Sequence, residues 1–208
     1  MTQETLQELF VDQIRDLYDA EKQIVKALPK MAKAANAEEL SDALQKHLQE
    51  TQQQVSRLEE IFRMQGVPAK GKPCKGMKGL LEEGSEALEE EDENLMDLSI
   101  IAAAQKVEHY EISAYGTAKA IAEKLGDKGA MQLLEETEEE ESAADSTLTE
   151  IAMSLYDSTD SSEDMEEDEE VEGEEEEEES RTASAGARGS SRPMNAGPNS
   201  KKNTSKRR

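Results

Sequence analysis

The sequence predicts an all-α fold in which four long helices close into a bundle. Three observations carry that expectation. Ala, Leu, Glu, Gln and Lys dominate the chain and favour helix, while β-branched residues are sparse. Four stretches of about 28–33 residues repeat an apolar residue every three or four positions, the spacing of one helix face. The core must be built from Leu, Ile, Ala and Met, because the chain has no Trp and only 2 Phe.

The first helix is expected over about residues 3–35, with Leu6, Phe10, Ile14, Leu17, Ile24, Leu28 and Met31 as its stripe. Pro29 lies inside it and should kink it or loosen one turn. The second, about 38–65, presents Leu40, Leu44, Leu48, Val55, Leu58 and Phe62, and Gly66 stands just past its end as a stop. The third, about 94–125, carries Leu98, Ile101, Ile112, Tyr115 and Ala122 and is followed by Gly126. The fourth, about 128–155, carries Met131, Leu134, Leu148, Ile151 and Leu155.

The connections select the topology. The first and second helices, and the third and fourth, are joined by short links, so each pair is an antiparallel hairpin. Residues 66–93 are different. They hold Gly, Pro and Lys together with a short helical piece, "GLLEEGSEALEE", and are long enough to run the length of the bundle. One long crossover between two hairpins is the ferritin-like arrangement.

Charge divides the chain into two regions. Residues 1–156 form the expected bundle domain, and residues 157–208 read as a disordered tail with almost nothing to bury. The tail is acidic over 157–180, with 16 acids and no base, then basic over 181–208, with 8 bases and no acid. These account for −8 of the formal net charge of −25 and leave −17 on residues 1–156. A domain so acidic repels phosphate, which argues against nucleic-acid binding except weakly through the basic tail.

The start, "MTQETLQELFVDQ", has neither a basic nor an apolar leader segment. No apolar run approaches the roughly 20 residues that cross a bilayer. Cys74 is the single cysteine, which excludes an internal disulfide and fits a reducing cytosol. The expected location is cytoplasmic. In "GKPCKGM", Cys74 reads as a loop thiol with no role.

The feature that needs an explanation is a set of acids on inward-facing stripes. At 100° per residue, Glu21 falls within about 40° of the centre of the first stripe, between Leu17 and Ile24. Glu108 falls near the centre of the third stripe, and Glu141 does the same on the fourth. On the second helix His47 is nearer the stripe, while Glu50 and Gln54 sit toward one edge. The expected helix midpoints lie near residues 19, 51, 109 and 141, and a mid-helix residue keeps its level whichever way its helix runs. Glu21, Glu50, Glu108 and Glu141 are therefore expected in one central layer. Glu111 and Asp145, one turn beyond Glu108 and Glu141, reach the same layer. His47 offers a nitrogen ligand one turn before Glu50.

Four carboxylates in one dry layer cannot all be ionised without compensation. Either some hold protons or cations fill the gap. Two divalent or trivalent metal ions would do so, and carboxylate oxygens suit iron and manganese. Tyr18 and Tyr115, near the same layer, read as packing residues. His109 lies off the stripe and reads as a surface or supporting residue rather than a ligand.

Four segments, "LFVDQIRDLYDAEKQIVKALPKMAKAA", "HLQETQQQVSRLEEIF", "KVEHYEISAYGTAKAIAEKLG" and "LLEETEEEESAADSTLTEIA", resemble the YciE/YciF-type ferritin-like stress proteins of bacteria. The resemblance covers about residues 3–155 and leaves the tail out. It implies kinship with rubrerythrins, whose two metals are held by Glu on the first helix, ExxH on the second, ExxE on the third and ExxxH on the fourth. Glu21 matches the first, Glu108 and Glu111 match the third, and Glu50 and Glu141 match the acids of the second and fourth. Gln53 and Asp145 stand where the pattern has His. Rubrerythrin-type peroxide chemistry therefore does not carry over. The resemblance also implies small oligomers, with the homodimer as the expected form.

Two functions follow as expectations. One is a di-metal binding protein of the bacterial stress response, holding iron or manganese, with metal oxidation or peroxide handling as its chemistry. Its ligands would be Glu21, Glu50, Glu108, Glu111 and Glu141, with His47 and Asp145 as further candidates. The alternative is a non-catalytic helical stress or interaction protein whose carboxylate layer is metal-free.

Overall fold

The computed structural model describes residues 2–184. Its helices are α1 (Gln3–Ala34), α2 (Glu38–Met64), α3 (Lys75–Glu86), α4 (Glu93–Leu125) and α5 (Lys128–Ser184), with a 3-10 turn, Ala87–Glu89, after α3. No strand occurs among the described residues. The chain divides into two compact units, Met1–Asp160 and Ser161–Arg208.

The first unit is the ferritin-like bundle. Links of a few residues join α1 to α2 and α4 to α5, while residues 65–92 carry the chain back along the bundle through α3. Burial divides into two apolar clusters. One gathers Ile24, Leu28, Leu40, Leu44, Ile100, Ile101, Leu148 and Ile151. The other gathers Phe10, Ile14, Leu17, Leu58, Phe62, Tyr115, Ala122 and Leu134. The start of α2 thus shares a cluster with the start of α4, and the end of α2 with the end of α4. These two helices run parallel, and the crossover exists to make them so.

Helix ends follow local chemistry. Thr2 caps α1 by accepting from the Thr5 amide, and Asp92 caps α4 by accepting from the Leu95 amide. Gly66 and Gly126 adopt φ of 67° and 77°, the left-handed conformation that makes glycine the favoured stop. The helical bounds of α1 continue through Pro29 to Ala34. The α1 stripe is buried at every expected position.

Three expectations change. Of the α4 stripe, Ile101, Tyr115 and Ala122 are buried as expected, but Leu98 and Ile112 are only half-buried, and Ile100, Ala104, Val107, Glu111 and Ala118 complete the inner face. Small alanines let the neighbouring helices approach along this face, and the helix turns that side inward. The helical bounds of α5 reach Ser184, past the expected end near residue 155; the acidic run is rich in Glu, a strong helix former, and contains no proline. Of the tail expected over 157–208, residues 185–208 lie outside the described residues.

Cys74 is not an idle loop thiol. It is buried, it caps α3, and its Sγ lies 2.9 Å from Tyr110 Oη and 3.2 Å from Asp16 Oδ2. Gly76 lies flat against the Tyr110 ring, where a Cβ would come within 2.8 Å of it. The crossover is fastened to α1 and α4 at this point.

Candidate metal centre

Between the two apolar clusters lies a polar layer. Glu21, Thr51, Gln54, Glu108, Glu111, Thr137 and Glu141 are all at most 2 % exposed, and His47 is 6 % exposed. The bounds of α1, α2 and α4 put Glu21, Thr51 and Glu108 within a few residues of each helix's middle. The depth argument from sequence holds for these three helices, which are 32, 27 and 33 residues long; α5 is 57 residues long, and the level of Glu141 is shown by its approach to His47 instead.

Four of the expected ligands converge. Ligand atoms of His47, Glu108, Glu111 and Glu141 all lie within 4.8 Å of one another. His47 Nε2 is 3.4 Å from Glu108 Oε1 and 3.7 Å from Glu141 Oε2. Glu21 faces the same group from α1: its charge acts on Glu108 and Glu111, and Glu141 acts on it. Glu111 proves more central than Glu108, since it sits in the middle of the buried face of α4.

Glu50 and Asp145 stand at the margin. The Glu50 side chain is 23 % exposed and pairs with Lys46 at 2.8 Å, and its Oε2 lies 3.9 Å from His47 Nδ1. Asp145 accepts from Gln105 Nε2 at 3.1 Å and lies 3.4 Å from His109 Nε2. His109, expected outside the site, is indeed exposed and touches it only through Asp145.

Two groups emerge that the sequence pattern did not assign to the site. The Tyr115 hydroxyl, expected only to pack, donates to Glu21 Oε1. Gln54 donates through Nε2 to Glu141 Oε1 and, at 3.1 Å, to Glu140 Oε2. Glu140 is in turn gripped by both Arg57 guanidinium nitrogens at 2.6 Å. The signal for Gln54 was its spacing of seven residues from His47, two helical turns along the same face.

Electrostatics of the layer are those of acids out of water. Burial first, and then the charge of Glu141, push Glu21 well above the ordinary carboxylate range. Burial and the adjacent Glu141 do the same to Glu108. Burial and the charge of Glu21 do so to Glu111. Glu50 moves the other way, down to about 2, held there chiefly by His47. Glu21 Oε2, both His47 nitrogens, Glu108 Oε2, both Glu111 oxygens and Glu141 Oε2 are buried without a hydrogen-bond partner. Native proteins leave few such atoms, and here they point at one another. Three carboxylates and an imidazole, plus Glu21 behind them, fit a cation that prefers oxygen and accepts nitrogen, such as iron or manganese.

Fold and site together define a ferritin-like bundle with a buried carboxylate and imidazole layer. Residues 5–159 match the family described as the domain of unknown function DUF892, and the chain belongs to that family. It is 43 % identical over 155 residues to protein YciF of Escherichia coli strain K12, covering 74 % of this chain and 93 % of YciF. The crystal structure of that E. coli stress protein superposes with a TM-score of 0.71 at 42 % identity, over 73 % of this chain and 97 % of YciF. The structure of YcfI from Rhodopseudomonas palustris superposes with a TM-score of 0.68 at 43 % identity, over 72 % of this chain and 94 % of YcfI. A protein from Xanthomonas campestris pv. campestris shares the fold at 19 % identity, with a TM-score of 0.60 over 76 % of this chain and 99 % of its own.

Proposed function

We propose that the bundle binds two metal ions, iron or manganese, and serves in a bacterial stress response. The observation that carries this reading is the convergence of buried, unpartnered ligand atoms from His47, Glu108, Glu111 and Glu141. These four would hold one ion. Glu21, approaching from α1, would help to hold a second. Four carboxylates balance two divalent charges, which removes the repulsion that otherwise keeps protons on the layer. When bound, the divalent ions would supply one-electron redox chemistry, giving electrons to dioxygen or peroxide as the oxidant. The chain's own residues do the rest: Tyr115 orients Glu21, Gln54 orients Glu141, and the apolar clusters above and below exclude water.

A second reading rests on the same two donors. Tyr115 and Gln54 already satisfy one oxygen each of Glu21 and Glu141. A protonated, metal-free layer in a helical interaction protein is therefore also chemically complete on that side. Elemental analysis of the purified protein separates the two. The first reading expects roughly two ions of iron or manganese per chain, lost in the double variant Glu108→Ala, Glu141→Ala. Absence of metal after both aerobic and anaerobic preparation, with a melting temperature indifferent to added metal, would sink it.

A cytosolic homodimer completes the proposal. No helix among the described residues is long and apolar enough to cross a membrane. Leu95, Met153 and Tyr156 are large apolar side chains left exposed, which pairing would cover.

A further inference from the structure

We infer that metal reaches the buried layer through a cleft between α2 and α5, with Glu50 as the outer group that receives it and His47 as the group that hands it inward. This rests on the metal-binding reading above.

The cleft is walled by Ala43, Ala144 and Thr147, and Glu50, His47 and Glu108 succeed one another along it. It has about 30 Å³ of free volume, room for roughly one water or a partly dehydrated ion. Leu44 and Leu148 complete its walls, and the small side chains of Ala43 and Ala144 leave the gap between them. The side chains grade inward: Glu50 is 23 % exposed, His47 8 %, Glu108 3 % and Glu141 0 %. Each step is short. Glu50 Oε2 is 3.9 Å from His47 Nδ1, and His47 Nε2 is 3.4 Å from Glu108 Oε1 and 3.7 Å from Glu141 Oε2. Both ring nitrogens are buried and unpartnered, one directed outward to Glu50 and the other inward to the cluster. A purely structural histidine would spend at least one of them on a hydrogen bond.

Lys46 closes the mouth by pairing with Glu50 at 2.8 Å. Its side chain is 74 % exposed, and so exposed a pair is weak and opens readily to a competing cation. Other routes are less suited. A cleft between α1 and α3 is lined by Gln23, Lys26, Lys30 and Met31, and another between α1 and α2 by Lys22, Lys26 and Gln52. Neither includes a member of the cluster.

The test is the rate of Co²⁺ uptake by metal-free full-length protein, followed by the visible absorbance of the bound ion in a stopped-flow instrument. Glu50→Gln should slow uptake about fivefold or more, since it removes the charge that gathers cations at the mouth. Ala144→Leu should slow it further by filling the cleft, and Lys46→Gln should speed it. Both slowed variants should reach the wild-type endpoint on long incubation. Glu39→Gln, an exposed acid elsewhere on α2, controls for the loss of one charge from the chain and should stay within about twofold of wild type. Equal rates in wild type, Glu50→Gln and Ala144→Leu would overturn the route while leaving the metal site standing. An equal slowing by Glu39→Gln would do the same. Failure of the wild-type protein to bind Co²⁺, Mn²⁺ or anaerobic Fe²⁺ at all would remove both the route and the site.

Discussion

At the scale of single residues, Glu21 is held from one side only: Tyr115 donates to Oε1, and Oε2 has no partner. Tyr115→Phe keeps the ring in its packed position and deletes that donor. A buried acceptor left unsatisfied costs about 1–3 kcal/mol, and this loss is expected in urea unfolding of the metal-free protein. A loss below a few tenths would show that Glu21 finds another donor. The acids of the layer also set the sign of the pH response. Glu21, Glu108 and Glu111 titrate in the folded protein well above their ordinary value of 4.5. The stability they contribute is complete below that value and is lost as pH rises through their folded-state values. Metal-free protein should therefore unfold at lower urea at about pH 8 than at about pH 5, and Glu111→Gln should flatten the slope. Glu50 does not disturb this window. Its value is lowered to about 2, so its contribution is whole above 4.5 and disappears only in strong acid. Bound metal reverses the slope, because ligands must lose their protons to bind it.

At the scale of helices, the start of α2 is held from outside the helix. Ala37 has no capping side chain, but Asp97 of α4 anchors the link just before the helix, accepting from the Asn36 amide at 2.8 Å and the Ala37 amide at 2.7 Å. Asp97 is 2 % exposed, so nothing replaces it when it is removed. Asp97→Ala should cost about 2–4 kcal/mol in thermal or urea unfolding, and Asp97→Asn about half as much, since one oxygen survives. A surface-like cost of under 0.5 kcal/mol would refute this anchor. This contact joins residues 60 apart, and no periodicity in the sequence announces it. The helices themselves were legible because their stripes are built from large apolar residues at three-four spacing, as in Leu6, Phe10, Ile14 and Leu17. The face of α4 was less legible because Ala103, Ala104 and Ala118 carry little hydrophobic weight, so Leu98 and Ile112 drew the stripe away from Glu111. On α2, depth pointed to Glu50, but the wheel places it about 75° from the line of Leu44, His47, Thr51, Gln54 and Leu58. Level was readable from helix length alone; direction needed the neighbours that decide which face turns inward.

At the scale of the whole chain, the bundle is separable from the residues that follow it. The family match ends at residue 159 and the first compact unit at Asp160, while the chain covers 97 % of the E. coli YciF structure with only 73 % of its own length. A chain cut after Asp160 should thus fold with an unfolding free energy within about 0.5 kcal/mol of the full chain and hold the same metal. What should change is the response to salt. Residues 1–156 carry −17 of the formal −25, so like charges crowd a small domain whose core lacks Trp and nearly lacks Phe. Screening shortens from about 10 Å at 0.1 M salt to about 3 Å at 1 M. Raising NaCl over this range should therefore raise the melting temperature of the metal-free truncated protein, where repulsion is uncompensated. At a pH above the folded-state values of the buried acids, the same step should raise it less when the layer is loaded, because two divalent cations then offset about 4 units of ionised carboxylate charge at the centre of the bundle. Equal salt responses with and without metal would mean that the buried acids keep their protons and that the ions, if present, sit elsewhere.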